Sequence, residues 1–212
     1  MILIENVSYK YPKSDDAAVS DFSAQFRRGE ITALSGKNGC GKTTLTKLLV
    51  GALRPDSGRV SIDDLDTAGM DLFEIGRRAG YLFQNPNRQL FCDTVYNEVA
   101  FGLRNLGMDE AGAEETSEYY LGLFDLTRYR DIYPGKLSLG EKQRLVLAAV
   151  LALGTDYLVL DEPTTGLDIR RRDELGELLL RLKLEKNCGV VVASHDAAFI
   201  SKYADGELVM SK

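Results

Sequence analysis

Between an apolar run, Ile31 to Leu34, and a run that reads as a helix, Thr44 to Val50, the chain places Gly36-Lys37-Asn38-Gly39-Cys40-Gly41-Lys42-Thr43, which fills every fixed position of GxxxxGK[ST]. No other feature restricts the fold so strongly. The glycines of such a strand-to-helix loop let backbone N–H groups converge on phosphate oxygens, and the helix N-terminus adds the positive end of its dipole. Lys42 then neutralises charge on the terminal phosphates, and the Thr43 hydroxyl can ligate Mg²⁺. The competing reading is a plain glycine-rich turn.

The periodicity changes along the chain. Ile2 to Val7, Val19 to Phe26, Ile31 to Leu34 and Arg59 to Ile62 read as short strands separated by turn residues, Arg27-Arg28-Gly29-Glu30 and Pro55-Asp56-Ser57-Gly58. They suggest an antiparallel β edge leading into a core strand. From Asp93 to about Leu126 the spacing is helical, with Val95, Val99, Gly102/Leu103 and Leu106 on one helix and Tyr119/Tyr120, Leu123 and Phe124 on a second. Beyond this lobe, helices at Glu141 to Leu153 and Arg170 to Glu185 alternate with uninterrupted apolar strands at Tyr157 to Leu160 and Val190 to Ala193, followed by a short helix and a strand at Glu207 to Met210. Strands without alternation that alternate with helices predict an α/β fold with a parallel sheet buried on both faces. One domain spanning 1–212 is expected, with a core of 1–84 and 148–212 and an inserted helical lobe at 85–147.

Two acids end the strand Tyr157-Leu158-Val159-Leu160, so that Asp161 can hold Mg²⁺ while Glu162 polarises a water. A strand ending in acids is also common at sheet edges, and the assignment draws its force from the phosphate loop in the same chain. His195 is the single histidine and follows the strand Val190 to Ala193, at the carboxyl end where open α/β sheets place ligands. It is a candidate to hydrogen-bond a γ-phosphate, against a structural role.

Composition narrows the partners. The net charge is -6, which argues against a nucleic-acid or anionic-lipid face, so any phosphate site is local. Cys40, Cys92 and Cys188 form no CxxC pair and fit a reducing compartment. Met1 to Tyr9 has no signal-peptide character, and the apolar run Leu145 to Leu153 is shorter than the ~18 residues of a membrane span. A peripheral subunit on the cytoplasmic face of a membrane is the expectation.

Taken in order along the whole chain, these residues resemble the nucleotide-binding subunit of ATP-binding cassette transporters. The resemblance implies a P-loop NTPase (RecA-like) core, with ATP and Mg²⁺ as ligands. It implies that Tyr11 stacks on adenine and that Gly36 to Thr43, with Thr44, wrap the phosphates. Thr43, Asp161 and Gln84 would hold Mg²⁺, and Glu162, His195, Gln84 and Lys42 would carry catalysis. Leu137-Ser138-Leu139-Gly140-Glu141 aligns with the family signature and Thr165-Gly166-Leu167-Asp168 with its dimer-contact loop, which implies that Ser138, Gly140 and Asp168 serve a nucleotide shared with a second ATPase subunit. The signature departs from LSGGQ at Leu139 and Glu141. Ser138 to Glu141 also reads as a capping box, S-x-x-E, and the two readings are compatible.

Gln84-Asn85-Pro86-Asn87-Arg88-Gln89-Leu90-Phe91, then Asp93-Thr94-Val95 and Val99-Ala100-Phe101-Gly102-Leu103-Arg104-Asn105, looks like the energy-coupling factor branch. That resemblance implies an importer of vitamins or of cobalt or nickel ions, with a transmembrane T component, a substrate-binding S component and no nucleic acid. Members of the branch commonly carry a C-terminal segment that has no counterpart here after Lys212. Leu90, Phe91 and Val95 are also readable as ordinary lobe core. Two other functions are weighed against this: a soluble cassette clamp in translation or DNA repair, whose chains usually join two cassettes or carry coiled-coil or zinc insertions not seen in this sequence, and a regulatory nucleotide module without turnover, which predicts loss of Glu162 or His195, both present here.

Overall fold

The computed structural model describes residues 1–211. Among them, four strands make an antiparallel sheet and five make a parallel one. The antiparallel sheet, ordered β2-β1-β4-β5, is built from β1 (Ile2–Tyr9), β2 (Val19–Phe26), β4 (Ser57–Ile62) and β5 (Leu65–Asp66). In register, Ile2 faces Phe26 on one side and Ile62 on the other, so the apolar residues of three strands share one face. These strands form a sheet of their own instead of extending an edge of the parallel one.

The parallel sheet runs β6-β7-β8-β3-β9, from β3 (Ile31–Gly36), β6 (Ala79–Leu82), β7 (Tyr157–Asp161), β8 (Gly189–Ala193) and β9 (Gly206–Met210). Every residue of β7 and β8 is buried, which is why neither strand alternates in sequence. One face packs through Tyr157, Val159 and Val191 onto α1 (Lys42–Leu49) and the antiparallel sheet. The other packs through Leu158, Leu160 and Val192 onto a cluster shared with α3 (Val95–Asn105), α4 (Glu110–Leu123), α5 (Leu139–Ala152) and α6 (Ile169–Lys186). Short helices α2 (Leu72–Gly76) and α7 (Ala197–Tyr203) complete the chain.

Arg28 ties the two sheets together. Its guanidinium donates to Asp63 at 2.6 Å and to both oxygens of Asp156 at 2.7 and 2.9 Å, and the Tyr157 hydroxyl donates to Asp63 at 3.0 Å. Burial alone would raise the Asp63 carboxyl, but hydrogen bonds from the N-terminal ammonium, Arg28 and Tyr157 outweigh it and hold the group at about 2.

Register decides what meets at the carboxyl edge of the parallel sheet. Leu34 pairs with Ala193, and Ala193 with Asp161. The next residues along β3, β7 and β8 therefore emerge side by side: the glycine loop, Glu162 and the Ser194-His195 turn.

Candidate functional site

The loop after β3 needs two glycines for reasons of space as well as torsion. Gly36 has φ 138°, and a Cβ there would lie 2.4 Å from the Met210 carbonyl oxygen and 2.8 Å from Cys40 Sγ. Gly41, with φ 104°, caps α1, and its Cβ would meet the Ala18 carbonyl oxygen at 2.3 Å. No L side chain fits either position. Directly after Gly41, Lys42 Nζ donates to the Gly36 carbonyl at 2.8 Å and to the Lys37 carbonyl at 3.3 Å, with the side chain buried.

A cavity of about 460 Å³ opens over this loop and is lined by Tyr11, Asn38, Gly39, Gly41, Lys42, Thr43, Thr44, Gln84, Glu162 and His195. With Ala18, which also lines it, the residues come from six separate stretches of sequence. Tyr11 stands at the rim, with its hydroxyl 3.3 Å from Thr44 Oγ1 and its ring edge-on to Tyr9. Gln84 is exposed at the end of β6, where Gln89 secures the strand by donating to the Tyr81 carbonyl at 2.8 Å and accepting from the Phe83 amide at 3.1 Å. A larger groove of about 750 Å³ between α4, α5 and α6 is lined by Leu123, Phe124, Leu147 and Leu178 among others, and shares no residue with the cavity.

The carboxylates differ in their surroundings. Asp161 is buried, accepts the Thr43 hydroxyl on Oδ1 at 3.2 Å and has no donor on Oδ2. Burial pushes its carboxyl above the ordinary value, the Thr43 hydroxyl pulls it back, and the charge of Glu162 raises it again. Glu162 is buried with φ 53°, a left-handed backbone unusual for a non-glycine, and its amide donates to the Ala193 carbonyl at 2.8 Å. That turn lifts its carboxylate out of the sheet edge toward His195, whose Nδ1 lies 2.9 Å from Oε2. The distance suits an ion pair when the imidazole is protonated, although no donor is aligned on Oε2 as in a hydrogen bond. His195 itself is 68% exposed.

Ser138, Gly140 and Asp168 do not line the cavity. Ser138 caps α5 and Asp168 caps α6, accepting from the Arg171 amide at 2.8 Å. The two helix starts are neighbours, since a Cβ on Gly140 would stand 3.6 Å from the Gly166 carbonyl oxygen. Ser138 and Asp168 are both exposed.

Two groups that the sequence did not single out hold the segment that follows Gln84. The buried Glu98 carboxylate accepts the amides of Phe91 at 3.0 Å and Cys92 at 2.7 Å and so pins the segment after β6 onto α3. Lys142 donates to Asn87 at 3.0 Å, joining that segment to the first turn of α5. An acid in the apolar stretch around Val95 and Val99 is the only trace Glu98 leaves in the sequence.

A family model described as ABC transporter matches residues 19–165. A Methanosarcina acetivorans protein described as an ABC transporter ATP-binding protein is 39% identical over 213 residues, covering 100% of this chain, which spans only 34% of that relative's length. The energy-coupling factor transporter ATP-binding protein EcfA of Methanothermobacter thermautotrophicus is also 39% identical, covering 100% of this chain and 68% of the relative. Among solved structures, cbiO1 from Clostridium perfringens, described as part of the ABC transporter complex cbiONQ, superposes with a TM-score of 0.83 at 32% identity, over 99% of this chain and 84% of that one.

Proposed function

The chain belongs to the ABC transporter family and carries its ATPase domain, and from that premise we propose that it is the motor cassette of an energy-coupling factor type importer for a vitamin or a transition-metal ion. It works at the cytoplasmic face of the membrane with a second cassette, a transmembrane T component and a substrate-binding S component. No helix among the described residues is long and apolar enough to cross a membrane, so in this reading the spanning parts belong to those partners. The importer branch is supported by the similarity to EcfA and cbiO1.

The single observation that carries the hydrolytic half is the convergence of Lys42, Thr43, Gln84, Glu162 and His195 on one cavity. Tyr11 offers its ring to adenine, and Gly36, Lys37, Asn38, Gly39, Cys40 and Gly41 supply backbone around the phosphates, with Lys42 and Thr44 beneath them. Asp161, with a buried oxygen that has no donor, the Thr43 hydroxyl and the Gln84 amide oxygen make an all-oxygen set that fits Mg²⁺. Mg²⁺ bound there would neutralise charge on the β- and γ-phosphates. Glu162 accepts a proton from the attacking water, and His195, facing both Glu162 and the cavity, holds the γ-phosphate side of the reacting centre. Ser138, Gly140 and Asp168 act on the nucleotide of the opposite cassette, where a helix N-terminus attracts phosphate.

The test is purification of the chain from native membranes and identification of what accompanies it. A second cassette together with integral membrane proteins supports the reading; ribosomes or DNA in their place overturn the importer half.

A further inference from the structure

The first turn of α5 is held by more than a helix cap. Ser138 Oγ is 3.4 Å from the Glu141 amide, the outer limit of a capping bond, yet its hydroxyl sits 2.7 Å from Glu141 Oε2 and donates to it. The Ser138 amide donates to the same oxygen at 2.8 Å. From outside the helix, the Tyr129 hydroxyl donates to Glu141 Oε1 at 2.5 Å. An ionised carboxylate only accepts, so all three protons point at Glu141. The consequence is chemical. A phosphate oxygen also needs a donor, and the Ser138 hydroxyl proton is already committed to a negatively charged carboxylate.

We infer that Tyr129 is a positioning residue for the ATPase: by anchoring Glu141 it keeps the Ser138 hydroxyl turned away from the γ-phosphate of the opposite cassette and so weakens this chain's share of the joint site. This rests on the reading that Ser138 serves that phosphate. The hydrogen bonds from Tyr129 and Ser138 hold the Glu141 carboxyl at about 2, so its charge persists across the physiological range. Leu139, 57% exposed between Ser138 and Gly140, leaves this end of the helix open to an incoming molecule.

Replacing Glu141 by Gln removes the charge and turns one carboxylate oxygen into an N–H donor, while its amide oxygen can still take the Ser138 amide. Tyr129→Phe removes only the anchor. ATPase rates against ATP concentration, measured on the chain with its co-purifying cassette partner, decide the matter. Glu141→Gln should lower the half-saturating ATP concentration about fivefold or more with a smaller change in kcat, Tyr129→Phe should move it in the same direction by less, and Tyr129→Phe should add nothing in the Glu141→Gln background. A purely structural tyrosine would instead leave KM unchanged, or give the same effect in both backgrounds, and either result overturns the inference. Ser138→Arg in the Glu141→Gln background separates the two layers. If it leaves turnover unchanged, the role of Ser138 on the opposite phosphate is wrong. If it abolishes turnover while Glu141→Gln leaves KM unchanged, only the anchor fails.

Discussion

His195 Nδ1 stands 2.9 Å from Glu162 Oε2, although 33 positions of sequence and a whole helix separate the two residues. Glu162 reaches this contact through a left-handed backbone and a buried carboxylate, and His195 reaches it from an exposed turn. Glu162→Gln removes the proton acceptor and leaves the phosphate loop intact. It is expected to bind MgATP normally, to lower phosphate release by about 10²–10⁴-fold, and to accumulate as an ATP-bound dimer visible by light scattering. Normal turnover in this variant rules out the assigned base.

Thr43 and Asp161 share a hydrogen bond at 3.2 Å and leave Asp161 Oδ2 without a donor. Chelation with EDTA is therefore expected to stop hydrolysis, with recovery on adding Mg²⁺. Asp161→Asn should raise the Mg²⁺ concentration needed for half-maximal rate roughly tenfold or more, whereas Glu162→Gln should leave its Mg²⁺ dependence of nucleotide binding unaltered.

Ser138 lies at a helix start outside the cavity. Ser138→Arg places a bulky cation there and is expected to abolish turnover. Mixing it with Glu162→Gln should restore up to about a quarter of the wild-type rate when two copies of this chain pair, because half of the dimers are mixed and each holds one intact site. If Ser138→Arg leaves the rate unchanged, the trans role is wrong.

Asp63 is held at about 2, below its ordinary 3.8, so it contributes stability that is fully present above pH ~4 and is lost as pH falls toward 2. Thermal unfolding measured from pH 5 to pH 2 should show this loss in the wild type. Asp63→Asn is expected to have a lower Tm near neutral pH and a shallower decline in acid; parallel curves for the two proteins exclude the linkage.

Cys40 is a buried member of the phosphate loop, its sulfur close to Gly36. N-ethylmaleimide should inactivate ATP binding slowly, prior MgATP should protect, and Cys40→Ser should resist. Unchanged inactivation of Cys40→Ser assigns the effect to another thiol.

Much of the site was legible because its pieces are contiguous. Gly36, Gly41, Lys42 and Thr43 are read together since one backbone turn demands all of them, and Tyr157 to Glu162 announces itself by an apolar run that ends in charge. The helices at Val95–Asn105 and Leu139–Ala152 were visible for the same reason, each carrying enough turns for a period to show. α2, only five residues long, shows no such period, and its Asp71–Glu74 capping box identifies it only once the backbone is in view. The Ser138–Glu141 box was legible as a cap, but the hydroxyl of Tyr129 that completes it comes from a neighbouring turn with no spacing rule. Glu98 could not be read from the sequence because a buried acid that accepts two backbone amides has no pattern of its own.

By itself, the sequence determined the phosphate loop, the order of the acids and the histidine, and the alternation of strand and helix, because each is written in the local conformational needs of a few adjacent residues. Tertiary structure decided which of these meet. Glu162 and His195 face one another only because β7 lies beside β8, and the loop joins them only because β3 lies on the other side of β8. Strand order and register are set by burial of both faces of the sheet at once. That is a property of the whole packed core, which no short stretch of chain can specify.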